Sequence, residues 1–66
     1  MEKELKPKYQ LSDRVMPLGG SYIYIVDDCY YDEESEQFIY LTHGLDSPRI
    51  HKNFPENKLS FAGFSR

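Results

Sequence analysis

The chain has 66 residues, a net charge of -3 and one cysteine, Cys29, so it has neither an intrachain disulfide nor a cysteine cage for a metal. A chain this short forms one domain and buries only about 60% of the surface its unfolded form exposes, which excludes a deep substrate pocket. Hydrophobic and aromatic shares of 39% and 15% exclude disorder, and no apolar run approaches the ~20 residues that cross a membrane.

Charge is segregated along the chain. No Lys or Arg occurs from Val15 to Pro48, a segment that carries Asp27, Asp28, Asp32, Glu33, Glu34, Glu36 and Asp46. The bases Lys3, Lys6, Lys8, Arg14, Arg49, Lys52, Lys58 and Arg66 all lie in the flanks. A folded chain with neighbouring ends is then electrically two-faced. The same pattern also serves solubility, because a charged hairpin tip keeps strand edges from pairing with other chains.

Taken in order, residues 1–10 are polar and Lys-rich and are broken by Pro7, which predicts a flexible arm. The start, MEKELKPKYQ, lacks the apolar stretch of a signal peptide and predicts a soluble, cytoplasmic protein. Ser12-Asp13-Arg14 is a polar turn entering a short strand at Val15-Met16, which Pro17 and Gly19-Gly20 end. The dominant element is a long hairpin from Ser21 to His43: SYIYIVDDCYYD, the acidic connection EESEQ, then FIYLTH. Ile23 and Ile25 fall on one face of its first arm, and Tyr22, Tyr24 and Val26 on the other.

Strict alternation through Asp27-Asp28 drives one carboxylate into the core, at a cost of several kcal/mol. A β-bulge there removes the conflict. The connection has neither Gly nor Pro, which predicts a four- or five-residue loop built on a type I turn. In the return arm Phe38 and Tyr40 share one face, Ile39 and Leu41 the other. Arg49-Ile50-His51 is expected as a fourth strand, Phe54-Pro55-Glu56-Asn57-Lys58 as a 3₁₀ turn, and Leu59-Ser60-Phe61 as the last strand. These elements predict an all-β chain, a small five-stranded, partly open antiparallel barrel spanning 11–66 with a 3₁₀ turn before the last strand.

This order of parts resembles an SH3-like barrel over roughly residues 11–61. SDRV is similar to the opening-strand signature of many bacterial and ribosomal members, usually written with Gly-Asp, and FPENKLSF resembles their Pro-x-Asn turn into the closing strand. The resemblance implies the fold and leaves function open. The chain has no Trp and no ALYDY-like run, so no residues of a Pro-rich-peptide groove carry over.

Catalysis needs a nucleophile, a base and a group to hold developing charge. Cys29, His43 and His51 are the only soft candidates; nothing marks a base beside Cys29, and the two histidines lack cysteine partners at zinc spacing. The DDCYYDEESE run lacks the alternating ligands and central Gly of a calcium loop. The expectation is therefore no enzyme, no cofactor and no metal.

The tyrosines carry the functional reading. Those left at the surface of the hairpin, beside the acids, form an amphipathic patch of the kind enriched at protein interfaces and matched to a basic partner. The expected partner-binding set is Tyr22, Tyr24, Asp27, Asp28, Tyr30, Asp32, Glu33, Glu34 and Glu36. The chain reads as a non-catalytic interaction module, regulator or inhibitor of bacterial or phage origin, a monomer or weak dimer that binds a basic protein. The rival reading is a nucleic-acid-binding barrel using Lys6, Lys8, Arg14, Arg49 and Lys52, against which stands a pI near 5.2.

Overall fold

A turn at Gln10–Asp13 launches the sheet. The Asp13 carboxylate accepts the Gln10 N–H at 2.9 Å, the Gln10 carbonyl accepts the Asp13 N–H at 3.0 Å, and Ser12 takes a left-handed φ of 73°. The computed structural model describes residues 6–63. Five strands follow: β1 (Arg14–Pro17), β2 (Tyr24–Asp32), β3 (Gln37–Gly44), β4 (His51–Pro55) and β5 (Leu59–Gly63). They form one antiparallel sheet in the order β4-β3-β2-β1-β5, and a 3₁₀ turn (Glu56–Lys58) joins the last two strands. The architecture is all-β, as the alternation predicts. The sheet is open, with β4 and β5 as its edges among the described residues.

The bulge forms where two consecutive aspartates demand it. Val26 pairs with Thr42 and Asp28 with Leu41, leaving Asp27 as the extra residue. Ahead of it Tyr24 and Val26 face inward; beyond it Cys29 pairs with Tyr40 and shares the inner face, while Asp28 and Tyr30 face outward. Both carboxylates stay exposed. The hairpin closes through residues 33–36, with Glu36 at a left-handed φ of 57°. Asp32 anchors that loop by accepting the Ser35 hydroxyl at 2.6 Å.

Tyr9, Val15, Tyr24, Val26, Tyr40 and Leu59 build the core. An aliphatic side chain at this depth contributes about 1.5–3 kcal/mol. Tyr24 meets Phe54 edge-on at 5.0 Å, and Tyr9 meets Tyr40 likewise at 5.3 Å.

Three expectations shift. The flexible arm predicted over 1–10 does not extend through Lys8 and Tyr9: Tyr9 is buried, its hydroxyl donates to the Leu59 carbonyl at 3.1 Å, and its N–H donates to the Tyr40 hydroxyl. Residues 1–5 of that arm lie outside the described residues. The first arm of the hairpin begins at Tyr24 rather than Ser21. β4 begins at His51, where Arg49-Ile50-His51 was expected, because the Ile50 N–H turns back to the Ser47 carbonyl and Arg49 is spent in that turn.

Candidate interaction surface

Register defines what the outer face of the sheet presents. Side chains of paired residues share a face and alternate along each strand, so outward rows follow every second pair. One row is Arg14–Ile25–His43–His51, the next Asp28–Leu41–Asn53, the next Tyr30–Ile39–Pro55, and the last Asp32–Gln37. Beyond it stand the exposed Glu33, Glu34 and Glu36 of the loop. The middle rows make an apolar stripe of Ile39, Leu41 and Tyr30, with Tyr30 52% exposed. Acids bracket Tyr30 along β2 as Asp28 and Asp32, about 13 Å apart at the rise of an extended strand.

The structure brings together part of the set expected from sequence. Asp27, Asp28, Tyr30, Asp32, Glu33, Glu34 and Glu36 lie on the outer face or its tip. Tyr24 does not: it is 7% exposed and packs in the core, so it is corrected from partner contact to structural residue. Tyr22 is half-buried against the core. Its ring packs edge-on against Tyr24 at 5.0 Å, and its hydroxyl is buried without a hydrogen-bond partner. Both lie on the inward side of the alternation that Val26 continues.

The apolar members of the surface, Ile25, Ile39, Leu41 and Pro55, were missed. Alternation placed Ile25 with Ile23 and Ile39 with Leu41 within each arm, but a strand covered on both sides reads the same way until the neighbours are known. On this face Tyr30 is exposed, whereas Ile25, Ile39, Leu41 and Pro55 are half-buried.

The basic set is dispersed. Arg14 sits on the outer face of β1, whereas Lys52 lies on β4 in the inward register and Arg49 in the β3–β4 turn. Lys8 stands 5.6 Å over the Tyr9 ring, and its backbone N–H donates to Glu56 at 2.8 Å. These residues do not make one stripe.

Electrostatics vary over the hairpin. The Ser35 hydroxyl, with the backbone N–H groups of Glu34 and Ser35, holds the Asp32 carboxyl below its ordinary range. Burial, reinforced by Asp28 and Glu56, pushes the Cys29 thiol up and away from the reactive thiolate. Burial and the Glu56 carboxylate push the Tyr40 hydroxyl well above its usual value.

At the far end of the outer face the bulge turns Asp27 toward His43. Its two carboxylate oxygens lie 2.7 and 2.9 Å from His43 Nδ1. Among the described residues no group of three or more His, Cys, Asp or Glu side chains converges to hold a metal, and no helix is long and apolar enough to cross a membrane. Two shallow recesses of about 330 and 320 Å³ flank Lys8; one lies against Glu36 and Glu56, the other against Tyr9 and Phe61. Neither lining includes histidine or cysteine.

Comparison with known families, curated proteins and solved structures finds no match to this chain.

Proposed function

We propose that the chain is a non-catalytic interaction module of the SH3-like barrel class, and that it docks a basic protein partner on the outer face of the β2–β3 hairpin. The observation that carries this reading is the register: Tyr30 and Ile39 form one outward pair and Asp28 and Leu41 the next, beside the acids of the hairpin. A rigid aromatic ring, Tyr30, among aliphatic side chains supplies contact area at low entropic cost, and charge around it steers a partner of opposite sign. The acids arrayed from Asp27 to Glu36 select a cationic surface, which includes a partner's own nucleic-acid-binding surface, and a module seated there acts as an inhibitor. The unpaired Cys29 fits a reducing, cytoplasmic setting.

The test is capture of partners by the tagged chain from nuclease-treated lysate, in parallel with Tyr30→Ala and an Asp28→Lys/Asp32→Lys pair. The reading expects a stoichiometric basic protein that survives nuclease and is lost with either variant. Retention by both variants would remove the outer face from consideration. Capture that vanishes with nuclease would transfer the function to nucleic acid and to Lys6, Lys8, Arg14, Arg49 and Lys52.

A further inference from the structure

His43 and His51 are direct cross-strand partners on the outer face. The Gly44 N–H donates to the Ile50 carbonyl at 2.9 Å, so 44/50 is the hydrogen-bonded position of this antiparallel pair. The neighbouring 43/51 pair is then non-hydrogen-bonded. Such pairs bring side chains closest, with Cβ atoms about 4.5–5.5 Å apart. The two imidazole centroids are 6.5 Å apart. A metal–nitrogen bond of about 2.0–2.1 Å places a ring centre roughly 3 Å from the cation, so at the tetrahedral angle two rings sharing one zinc ion stand about 5 Å apart. Closing that difference requires the exposed His51 side chain to turn toward His43.

Asp27 supplies the second observation. A carboxylate only accepts hydrogen bonds, so Nδ1 of His43, 2.7 Å from Asp27, carries a proton, and in the neutral ring the lone pair is then on Nε2. Carboxylate, imidazole and cation in that order is the arrangement by which proteins fix the tautomer and raise the basicity of a histidine ligand. The bulge gives Asp27 this role: as the residue left out of the ladder, it is free to turn along the face to the strand beside it.

We propose that His43 and His51 form a two-imidazole site for a borderline-soft divalent transition cation, with Zn(II) as the representative ion, Asp27 orienting His43 and water filling the remaining positions. Imidazole nitrogen suits this class, whereas calcium and magnesium take oxygen ligands. Among the charged residues of the same face, Arg14 lies across Ile25 in the same row, against Asp27 and Asp28. With two protein ligands the site is open and exchangeable, unlike a closed structural zinc centre. The site adjoins the docking surface and shares Asp27 with its acids, but its two histidines lie outside the partner-binding set.

The experiment is a calorimetric titration of the full chain with zinc chloride, with imidazole NMR shifts recorded in parallel. The expected result is one saturable ion per chain, with shifts confined to the two rings. His51→Asn should abolish uptake, and Asp27→Asn should weaken it about ten- to a hundredfold. Zinc should raise the melting temperature of the parent and leave that of His51→Asn unchanged. His51 is exposed, so the metal-free variant should melt with the parent. Absence of saturable uptake, or uptake that survives His51→Asn, overturns the site. Parental affinity in Asp27→Asn overturns the orienting role of Asp27.

Discussion

The Tyr40 hydroxyl donates to Glu56 at 2.6 Å while accepting the Tyr9 N–H at 3.1 Å, and the same Glu56 oxygen accepts the Lys8 N–H at 2.8 Å. One buried phenol thus ties strand β3 to the 3₁₀ turn and to the segment preceding β1. Tyr9 completes the staple by reaching β5 through the Leu59 carbonyl. An open sheet leaves its edges without a common ladder. Here side chains join what backbone pairing does not.

Tyr40→Phe keeps the ring but orphans the Tyr9 N–H and removes one donor from Glu56. Leaving a buried donor unpaired costs about 1–3 kcal/mol. For a chain of this size each kcal/mol lowers the melting temperature by about 4–8 °C. Glu56→Gln retains an acceptor oxygen and should cost less than Tyr40→Phe. Thermal unfolding of the two variants checks the order, and a reversed order would show that the Glu56 charge outweighs the Tyr40 hydroxyl.

The same phenol makes stability depend on alkaline pH. Its folded-state pKa is raised above the ordinary value near 10, so the folded chain holds the proton more tightly than the unfolded chain. The resulting stabilisation is complete below pH 10 and is lost progressively as pH rises above it. Denaturant titrations between pH 8 and about 12 should show that decline in the parent and a flatter profile in Tyr40→Phe. Equal slopes would mean that another group governs the alkaline limb.

Gly44 and Tyr22 form a tight contact that a single methyl group tests. A Cβ on Gly44 would stand 2.8 Å from the Tyr22 hydroxyl oxygen and 2.9 Å from the Ser47 carbonyl. Gly44→Ala should cost about 1–3 kcal/mol, the usual range for overpacking. Adding Tyr22→Phe should recover only part of the loss, because the Ser47 carbonyl is backbone and stays in place. Tyr22→Phe alone removes an unpartnered buried hydroxyl and should leave stability equal or higher. Chemical denaturation of the three variants measures all of these differences.

Much of this fold was legible in the alternation of single residues. Ile23 and Ile25 against Tyr24 and Val26, and Phe38 and Tyr40 against Ile39 and Leu41, fixed two faces before any strand was paired. Asp27-Asp28 announced the bulge because a carboxylate in the core costs more than a broken ladder. Tyr9 was illegible: it stands alone between Lys8 and Gln10, and its burial comes from partners 31 and 50 positions away. The start of β4 was hidden for a related reason, since the Gly44–Ile50 bond that sets it joins two loop-like stretches. The candidate surface was half legible. Its acids and Tyr30 stand out in sequence, but its aliphatic members are told from core residues only by the register that turns them outward.

Tyr30 and Tyr24 separate surface from core in one comparison. Tyr24→Ala empties a buried site and should cost on the order of 3–5 kcal/mol, the range of large aromatic truncations, which is most of the stability of a chain this small. Tyr30→Ala should leave melting nearly unchanged and weaken partner capture instead. Native-like melting of Tyr24→Ala would contradict the assignment of that side chain to the core.

Deletion of Asp27 gives the sharpest test of the register. Asp27 is the extra residue between the pairs Val26–Thr42 and Asp28–Leu41, so removing it leaves Val26 inward, Asp28 outward and every later pair in place. Deleting Tyr30 shortens β2 by the same amount but moves Tyr31 to the outer face and slips Asp32 against its partners. The Asp27 deletion should therefore keep a dispersed amide spectrum, with its losses confined to the bend of β2 and to the His43 contact. The Tyr30 deletion should lose that dispersion, because Tyr31 then leaves its edge-on contact with Phe38, 5.2 Å between ring centres. Should both deletions unfold the chain equally, the bend imparted by the bulge, rather than the register it preserves, is what the core requires.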